Sequence, residues 1–227
     1  MTATVAHPVA RPVPAAVFAS GGGTNLQALL DHETEHGPYR IVAVISDRED
    51  AGALARAETA GRVARTIEVR GRPPEEVAAK TLALLESLDV RVIFLTGYLR
   101  LIPSEVVSAY RRRVLNIHPA LLPDFGGTGM YGQRVHEAVL AARAQVSGAT
   151  VHYAEEEYDT GAIVGQWQVP VLPDDDTAAL AARVLKVEHQ LFPAVAEHIC
   201  EALADGRDPG PFTMAAIKSG TPEPSTS

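Results

Sequence analysis

Ala15-Ala16-Val17-Phe18-Ala19-Ser20-Gly21-Gly22-Gly23-Thr24-Asn25-Leu26-Gln27-Ala28-Leu29-Leu30 decides the fold. Its first five residues are a short apolar run, the pattern of a strand buried on both faces. The polar and glycine residues from Ser20 to Asn25 break that run. Leu26, Leu29 and Leu30 then recur at helical spacing. The stretch therefore reads as strand, glycine-rich turn, helix. Glycines let a backbone approach a ligand closely, and a helix N-terminus offers unpaired N–H groups and a positive dipole end to an anion. Thr24 and Asn25 add side-chain donors, and either could cap the helix. A phosphate suits this turn; the alternative is a tight β-to-α connection with no ligand. A dinucleotide fingerprint starting at Gly21 would need glycine where Leu26 stands, and a P-loop would need lysine where Thr24 follows Gly23.

The same alternation continues outward. Arg40 to Ser46 is a second strand, and Ala51 to Ala60 a helix ended by Gly61. Val63 to Val69 is a third strand, Glu75 to Leu88 a helix, and Val90 to Thr96 a fourth, nearly all apolar strand. Alternating β and α elements with apolar strands predict a parallel sheet covered on both faces. Past residue 123 the pattern changes. Val135 to Arg143 is a helix, Ser147 to Tyr153 alternates like a strand, and Ala162 to Val171 follows after a short link, which predicts an antiparallel pair. Asp174-Asp175-Asp176 precedes a helix from Thr177 to about Phe192, which Pro193 punctuates before helix resumes to Ala204. The fold class is α/β: a Rossmann-like, mostly parallel sheet with helices on both faces and antiparallel strands in the C-terminal half. One domain spans residues 15–207, with tails at 1–14 and 208–227.

Composition narrows the function classes. With 46% hydrophobic and 21% charged residues in 227, the chain has the balance and length of a globular domain with a sizeable core. A formal net charge of -8 argues against a nucleic-acid surface. Cys200 stands alone, so neither an internal disulfide nor a cysteine-based zinc site can form; it reads as a small core residue. No apolar run is long enough to cross a bilayer, and the first residues lack the charged start and apolar run of a signal peptide. A cytoplasmic setting is the expectation.

The chemistry concentrates in Leu115-Asn116-Ile117-His118-Pro119-Ala120-Leu121-Leu122-Pro123. Pro119 biases His118 to an extended conformation, so the stretch reads as a strand running into a fixed loop. Asn116 and His118 then point to the same side. An amide donor beside an imidazole can polarise a carbonyl as it becomes tetrahedral; the other reading is a satisfied core histidine. Strand ends are where ligands sit in such sheets, and the glycine-rich turn, Gly97-Tyr98-Leu99-Arg100 and Asn116/His118 all fall there. Gly126-Gly127, Gly129 and Gly132 mark a loop shaped around something or able to move.

Ser20 to Gln27, Asn116 to Pro123 and Asp159-Thr160-Gly161-Ala162-Ile163, in that order, resemble the folate-dependent glycinamide ribonucleotide formyltransferases of purine synthesis. The likeness spans about Val17 to Arg207; its middle motif is shared by the wider formyltransferase superfamily. It implies transfer of a formyl group from 10-formyltetrahydrofolate, a co-substrate, to the amine of glycinamide ribonucleotide. It also implies roles. Asn116, His118 and Asp159 match the catalytic trio: Asn116 and His118, kept charged near neutral pH by the opposite charge of Asp159, hold the oxyanion, and Asp159 relays the proton through a water. Gly22, Gly23, Thr24, Asn25 and Glu188 match the ribonucleotide contacts. Leu99, Arg100, Leu101, Ile102 and Glu155, with Asn116 and Asp159, match the folate site. His152 could belong to the site or to the core, while His136 and His189 read as structural and Trp167 and Phe192 as core. Leu185 stands where relatives often carry a long polar side chain, and Arg70 or Arg72 could serve the folate tail. No metal is implied; the partners are small molecules, with neither nucleic acid nor membrane, and a homodimer is compatible. A methionyl-tRNA formyltransferase would need a further C-terminal domain and a basic surface, and a formyltetrahydrofolate hydrolase an N-terminal regulatory domain. A silent binder of folate or phosphorylated metabolites would not need the trio.

Overall fold

The computed structural model describes residues 12–35, 37–210 and 212. Most of both expected tails therefore lies outside the described residues. The elements run β1 (Val13–Phe18), α1 (Thr24–His32), β2 (Tyr39–Ser46), α2 (Gly52–Thr59), β3 (Val63–Thr66), α3 (Pro74–Ser87), β4 (Val92–Leu95), α4 (Ser104–Ala109), β5 (Val114–His118), α5 (Gln133–Ala141), β6 (Val146–Tyr153), β7 (Ile163–Pro170) and α6 (Thr177–Asp205). One sheet of seven strands has the order β3-β2-β1-β4-β5-β6-β7. From β3 to β5 the neighbours are parallel, and β6 and β7 add antiparallel strands, as the sequence predicts.

Both faces are covered because the central strands are apolar on both sides. Val17 and Phe94 face one core with Leu26 and Leu29 of α1, Ala53 and Ala57 of α2, Val139 of α5 and a long stripe of α6. Phe18, Ile93 and Leu95 face the other, built with Val77 and Leu85 of α3 and Val106 of α4. Cys200 and Phe192 are fully buried. Among the described residues no helix is long and apolar enough to cross a membrane.

Four local features differ from expectation. β1 starts at Val13, whose N–H donates to the Pro38 carbonyl at 2.9 Å, and Pro14 joins the strand because its carbonyl still accepts from Arg91 N–H at 2.8 Å. α4 has too few residues, 6, to announce itself by periodicity. α6 passes unbroken through Pro193. Leu180, Val184, Leu191, Val195 and Ile199 keep one fully buried stripe on both sides of the proline, and this packing outweighs the hydrogen bond that proline cannot donate. Phe212, expected in the tail, donates its N–H to Val164 O of β7 at 2.9 Å and packs against the core.

Candidate active site

The site forms where the parallel strands end. β1 and β4 are adjacent, and the turns that follow them are tied together: Ser20 N–H donates to Gly97 O at 3.1 Å and Leu99 N–H to Ser20 Oγ at 2.9 Å. Beside β4, β5 delivers Asn116 and His118 on one side. The antiparallel register sets Asn116 opposite His152 and His118 opposite Thr150. Asp159 comes from the loop between β6 and β7, with a left-handed φ of 58°, a conformation Asp tolerates better than most side chains.

The carboxylate of Asp159 is the hub. Its Oδ2 accepts the Gly127 N–H at 2.9 Å and lies 3.5 Å from His118 Nδ1. Its Oδ1 lies 3.4 Å from His152 Nε2 and 3.5 Å from Asn116 Nδ2. His118 Nε2 is 2.9 Å from the carbonyl oxygen of Phe125. A carbonyl only accepts, so Nε2 carries the hydrogen and Nδ1 is left to face Asp159. The trio expected from sequence is thus one connected group, and His152 belongs to it.

Electrostatics corrects one expectation. Burial pushes His118 below the ordinary histidine value, against the opposing pull of Asp159 and the Phe125 carbonyl. His118 is therefore neutral at rest, not charged. The Asp159 attraction was legible in the sequence, but the 3% exposure of His118 was not. Burial pushes Asp159 up, yet its closeness to His152 and His118 and the Gly127 N–H it accepts together hold it below the usual carboxylate value. The protein's stability should follow from these shifts. Burial depresses His118, and likewise His136 and His189, from the ordinary 6.5. The unfolded chain then binds protons more readily than the folded one, so this stability is complete above pH 6.5 and is lost as pH falls through the depressed values. Glu188, raised by burial against its bond to Asn25, works in the opposite sense: its contribution grows as pH falls through its raised value toward 4.5, offsetting part of the loss from the three histidines. Thermal unfolding midpoints should therefore drop between about pH 7 and pH 5; a midpoint that rises over that range would contradict the assignment.

A cavity of about 690 Å³ opens over this group. Leu99 and Arg100 wall one side, the glycine-rich loop from Gly127 to Gly132 another, and Asn25, Leu185 and Glu188 the far end. An adjoining cavity of about 40 Å³ takes in Leu101, Ile102 and Glu155 and shares Asn116 and Asp159 with the first. Every residue expected at the folate site therefore borders one of the two cavities. Arg100 is held by Asp47 at 2.9 Å. Arg72 pairs with Glu68 in a separate groove, and neither Arg70 nor Arg72 borders the two cavities.

The ribonucleotide residues divide. Asn25 Nδ2 donates to Glu188 Oε2 at 2.6 Å at the cavity's end, and Asn25 Oδ1 is buried with no partner. Thr24 faces a different groove with Gln27, Arg56 and His189. Gly23 caps α1 with φ 74° and no side-chain cap bond, so neither Thr24 nor Asn25 is the cap. A Cβ on Gly23 would sit 2.9 Å from the Ala53 backbone. Gly21 O accepts from Ala53 N–H at 3.1 Å, and Gly22 O accepts from Arg56 Nε at 2.8 Å. Close packing on α2 thus requires Gly23 whatever binds there, while Gly22 is open to solvent. His136, read from sequence as structural, is buried, borders the large cavity and has an unpartnered Nδ1. Among the described residues no group of three or more His, Cys, Asp or Glu side chains is placed to hold a metal ion.

An amide donor, two imidazoles and a carboxylate at the strand ends of a doubly covered sheet define an acyl-handling α/β enzyme, and residues 14–196 match the formyl transferase family model. The chain belongs to the phosphoribosylglycinamide formyltransferase branch of that family. It is 38% identical to the phosphoribosylglycinamide formyltransferase structure from Brucella melitensis, covering 84% of this chain and 96% of that one at a TM-score of 0.77. Glycinamide ribonucleotide transformylase 1 from Symbiobacterium toebii superposes at a TM-score of 0.78, with 36% identity over 84% of this chain and 89% of that one. The chloroplastic phosphoribosylglycinamide formyltransferase of Vigna unguiculata is 40% identical over 190 residues, 82% of this chain. The chain spans 60% of that relative's length.

Proposed function

We propose that this chain transfers the formyl group of 10-formyltetrahydrofolate to the amine of glycinamide ribonucleotide, a step of purine biosynthesis. The observation that carries it is the meeting of Asn116, His118 and Asp159 at one cavity whose far end holds the Asn25–Glu188 pair. The folate lies along Leu99 to Ile102 and Glu155, and the ribonucleotide reaches in from Asn25 and Glu188. The amine nitrogen attacks the formyl carbon, a C–N bond forms, and the carbonyl oxygen becomes an oxyanion that an N–H of Asn116 stabilises. The attacking nitrogen gives a proton to His118 Nδ1, the bare nitrogen of the neutral ring. The imidazolium then stands beside the oxyanion, with Asp159 offsetting its charge. Collapse breaks the bond to folate N10, which takes back the electron pair and the proton from His118. Tetrahydrofolate and the formylated ribonucleotide leave.

The test is the absorbance change as 10-formyltetrahydrofolate loses its formyl group, with and without glycinamide ribonucleotide. Loss only with the ribonucleotide supports transfer. Loss with folate alone means a hydrolase, and folate binding without loss means a silent binder. Glu188→Gln should keep the shape of the pair while weakening its bonds to ribose hydroxyls. A charge-assisted bond is worth about 1.5–3 kcal/mol, so the KM for the ribonucleotide should rise by roughly 10- to 100-fold with kcat little changed. An unchanged KM would remove Glu188 from that subsite.

A further inference from the structure

The two nitrogens of His152 have different partners. Nδ1 lies 2.8 Å from the carbonyl oxygen of Tyr153. That oxygen only accepts, so Nδ1 carries the ring hydrogen and a singly protonated ring leaves Nε2 bare. Nε2 lies 3.0 Å from Asn116 Nδ2, which donates into it. Among the described residues the second N–H of Asn116 meets only Asp159 Oδ1, at 3.5 Å, longer than an ordinary N–H···O bond. His152 Nε2 and Asp159 Oδ1, 3.4 Å apart, are both acceptors, and the Asn116 amine group lies between them. Were Nε2 protonated, two donors would face each other at 3.0 Å and the amide would have to turn over. His152 is 1% exposed and sits directly across the β5–β6 pair, so it has one place to be.

We propose that His152 is a positioning residue: in its Nδ1–H tautomer it accepts from Asn116 and fixes which end of that amide meets the reacting carbonyl. With the amine end locked, the loosely held second N–H is left to meet the oxyanion. With the amide turned, its own carbonyl oxygen would face the developing negative charge and repel it. What the free N–H does rests on the proposed formyl transfer; the tautomer and the amide orientation do not.

Two measurements test this on the intact protein. Long-range 1H–15N NMR of the histidine rings, with His152 assigned from the signals lost in His152→Gln, should show Nδ1 protonated and Nε2 bare at neutral pH. A protonated Nε2 would overturn the proposal, whatever the enzyme's activity. The second measurement is a double-mutant cycle. His152→Leu should lower kcat by roughly 10- to 100-fold, part of what loss of an oxyanion donor costs, with both KM values little moved. His152→Gln, whose Oε1 can accept from Asn116, should recover a large part of that loss. In an Asn116→Ala background the same His152→Leu change should alter kcat by less than about twofold, because a residue acting through Asn116 has nothing left to position. Equal losses in both backgrounds would overturn the inference. A wild-type protein that transfers nothing to the ribonucleotide would refute the proposed function instead, leaving the NMR result to decide the tautomer. The same NMR result decides if a variant fails to fold.

Discussion

Asp159→Asn should lower kcat by on the order of 10³- to 10⁴-fold, the range seen when a carboxylate that supports a proton-transferring histidine is neutralised. The substitution is nearly isosteric. The remaining amide oxygen can still accept the Gly127 N–H that reaches Asp159 Oδ2 at 2.9 Å, so the loop stays anchored. Two things change. The negative charge that would offset a His118 imidazolium is gone, and burial already disfavours that cation. With the oxygen kept on Gly127, the new amine group takes the place of Oδ1 and becomes a donor beside His152 Nε2, 3.4 Å away. That bond occupies the nitrogen that accepts from Asn116. The KM values should move little, because the loss falls on the transition state rather than on substrate binding. Steady-state turnover and an unfolding curve on the same sample decide the matter. Turnover within about tenfold of wild type in a folded variant would remove Asp159 from the mechanism.

How far the sequence reaches can be judged from single residues. Ala15 to Leu30 predicts strand, turn and helix because each signal is local: an apolar run, a block of glycines, a 3.6-residue period. The antiparallel C-terminal strands follow from the short link between them. Asn116 and His118 are legible as a pair because a strand has period two and Pro119 fixes their conformation. Alternation also puts His152 on the face opposite Val151 and Tyr153, but only the β5–β6 register brings it against Asn116. The charge state of His118 depends on burial, a sum over side chains from distant elements, and no local signal carries it. Pro193 shows the limit from the other side. A local rule breaks the helix there, and the buried stripe of α6 overrides it. The glycine-rich turn suggests a ligand-binding role for Gly23, while much of its requirement comes from α2 packed against it.

Gly161→Ala should cost about 3 kcal/mol or more of stability and most of the activity with it. A Cβ there would overlap the carbonyl oxygen of Tyr153 and come 3.2 Å from Glu155 Cγ. The glutamate can swing aside. The carbonyl cannot, because it belongs to the last residue of β6: the Tyr153 N–H donates to Ala162 O at 3.0 Å, and the neighbouring His152 donates its Nδ1–H to the Tyr153 carbonyl oxygen at 2.8 Å. Overpacking against such fixed backbone lies at or above the usual 1–3 kcal/mol, and for a domain of this size about 3 kcal/mol lowers the melting midpoint by roughly 6–12 °C. The turn can make room only by moving away from β6. Asp159, two residues earlier and already at φ 58°, would move with it, loosening its contacts to His118, His152 and Gly127 together. Thr160→Ala is the control. Its hydroxyl donates to Glu157 O at 3.2 Å on an exposed edge, and its loss should stay within about 0.5 kcal/mol. Parallel unfolding curves and turnover on the two variants separate the outcomes. A Gly161→Ala protein as stable and active as Thr160→Ala would mean that the turn has room the geometry denies, and that Asp159 is held by its own hydrogen bonds rather than by the path of the chain.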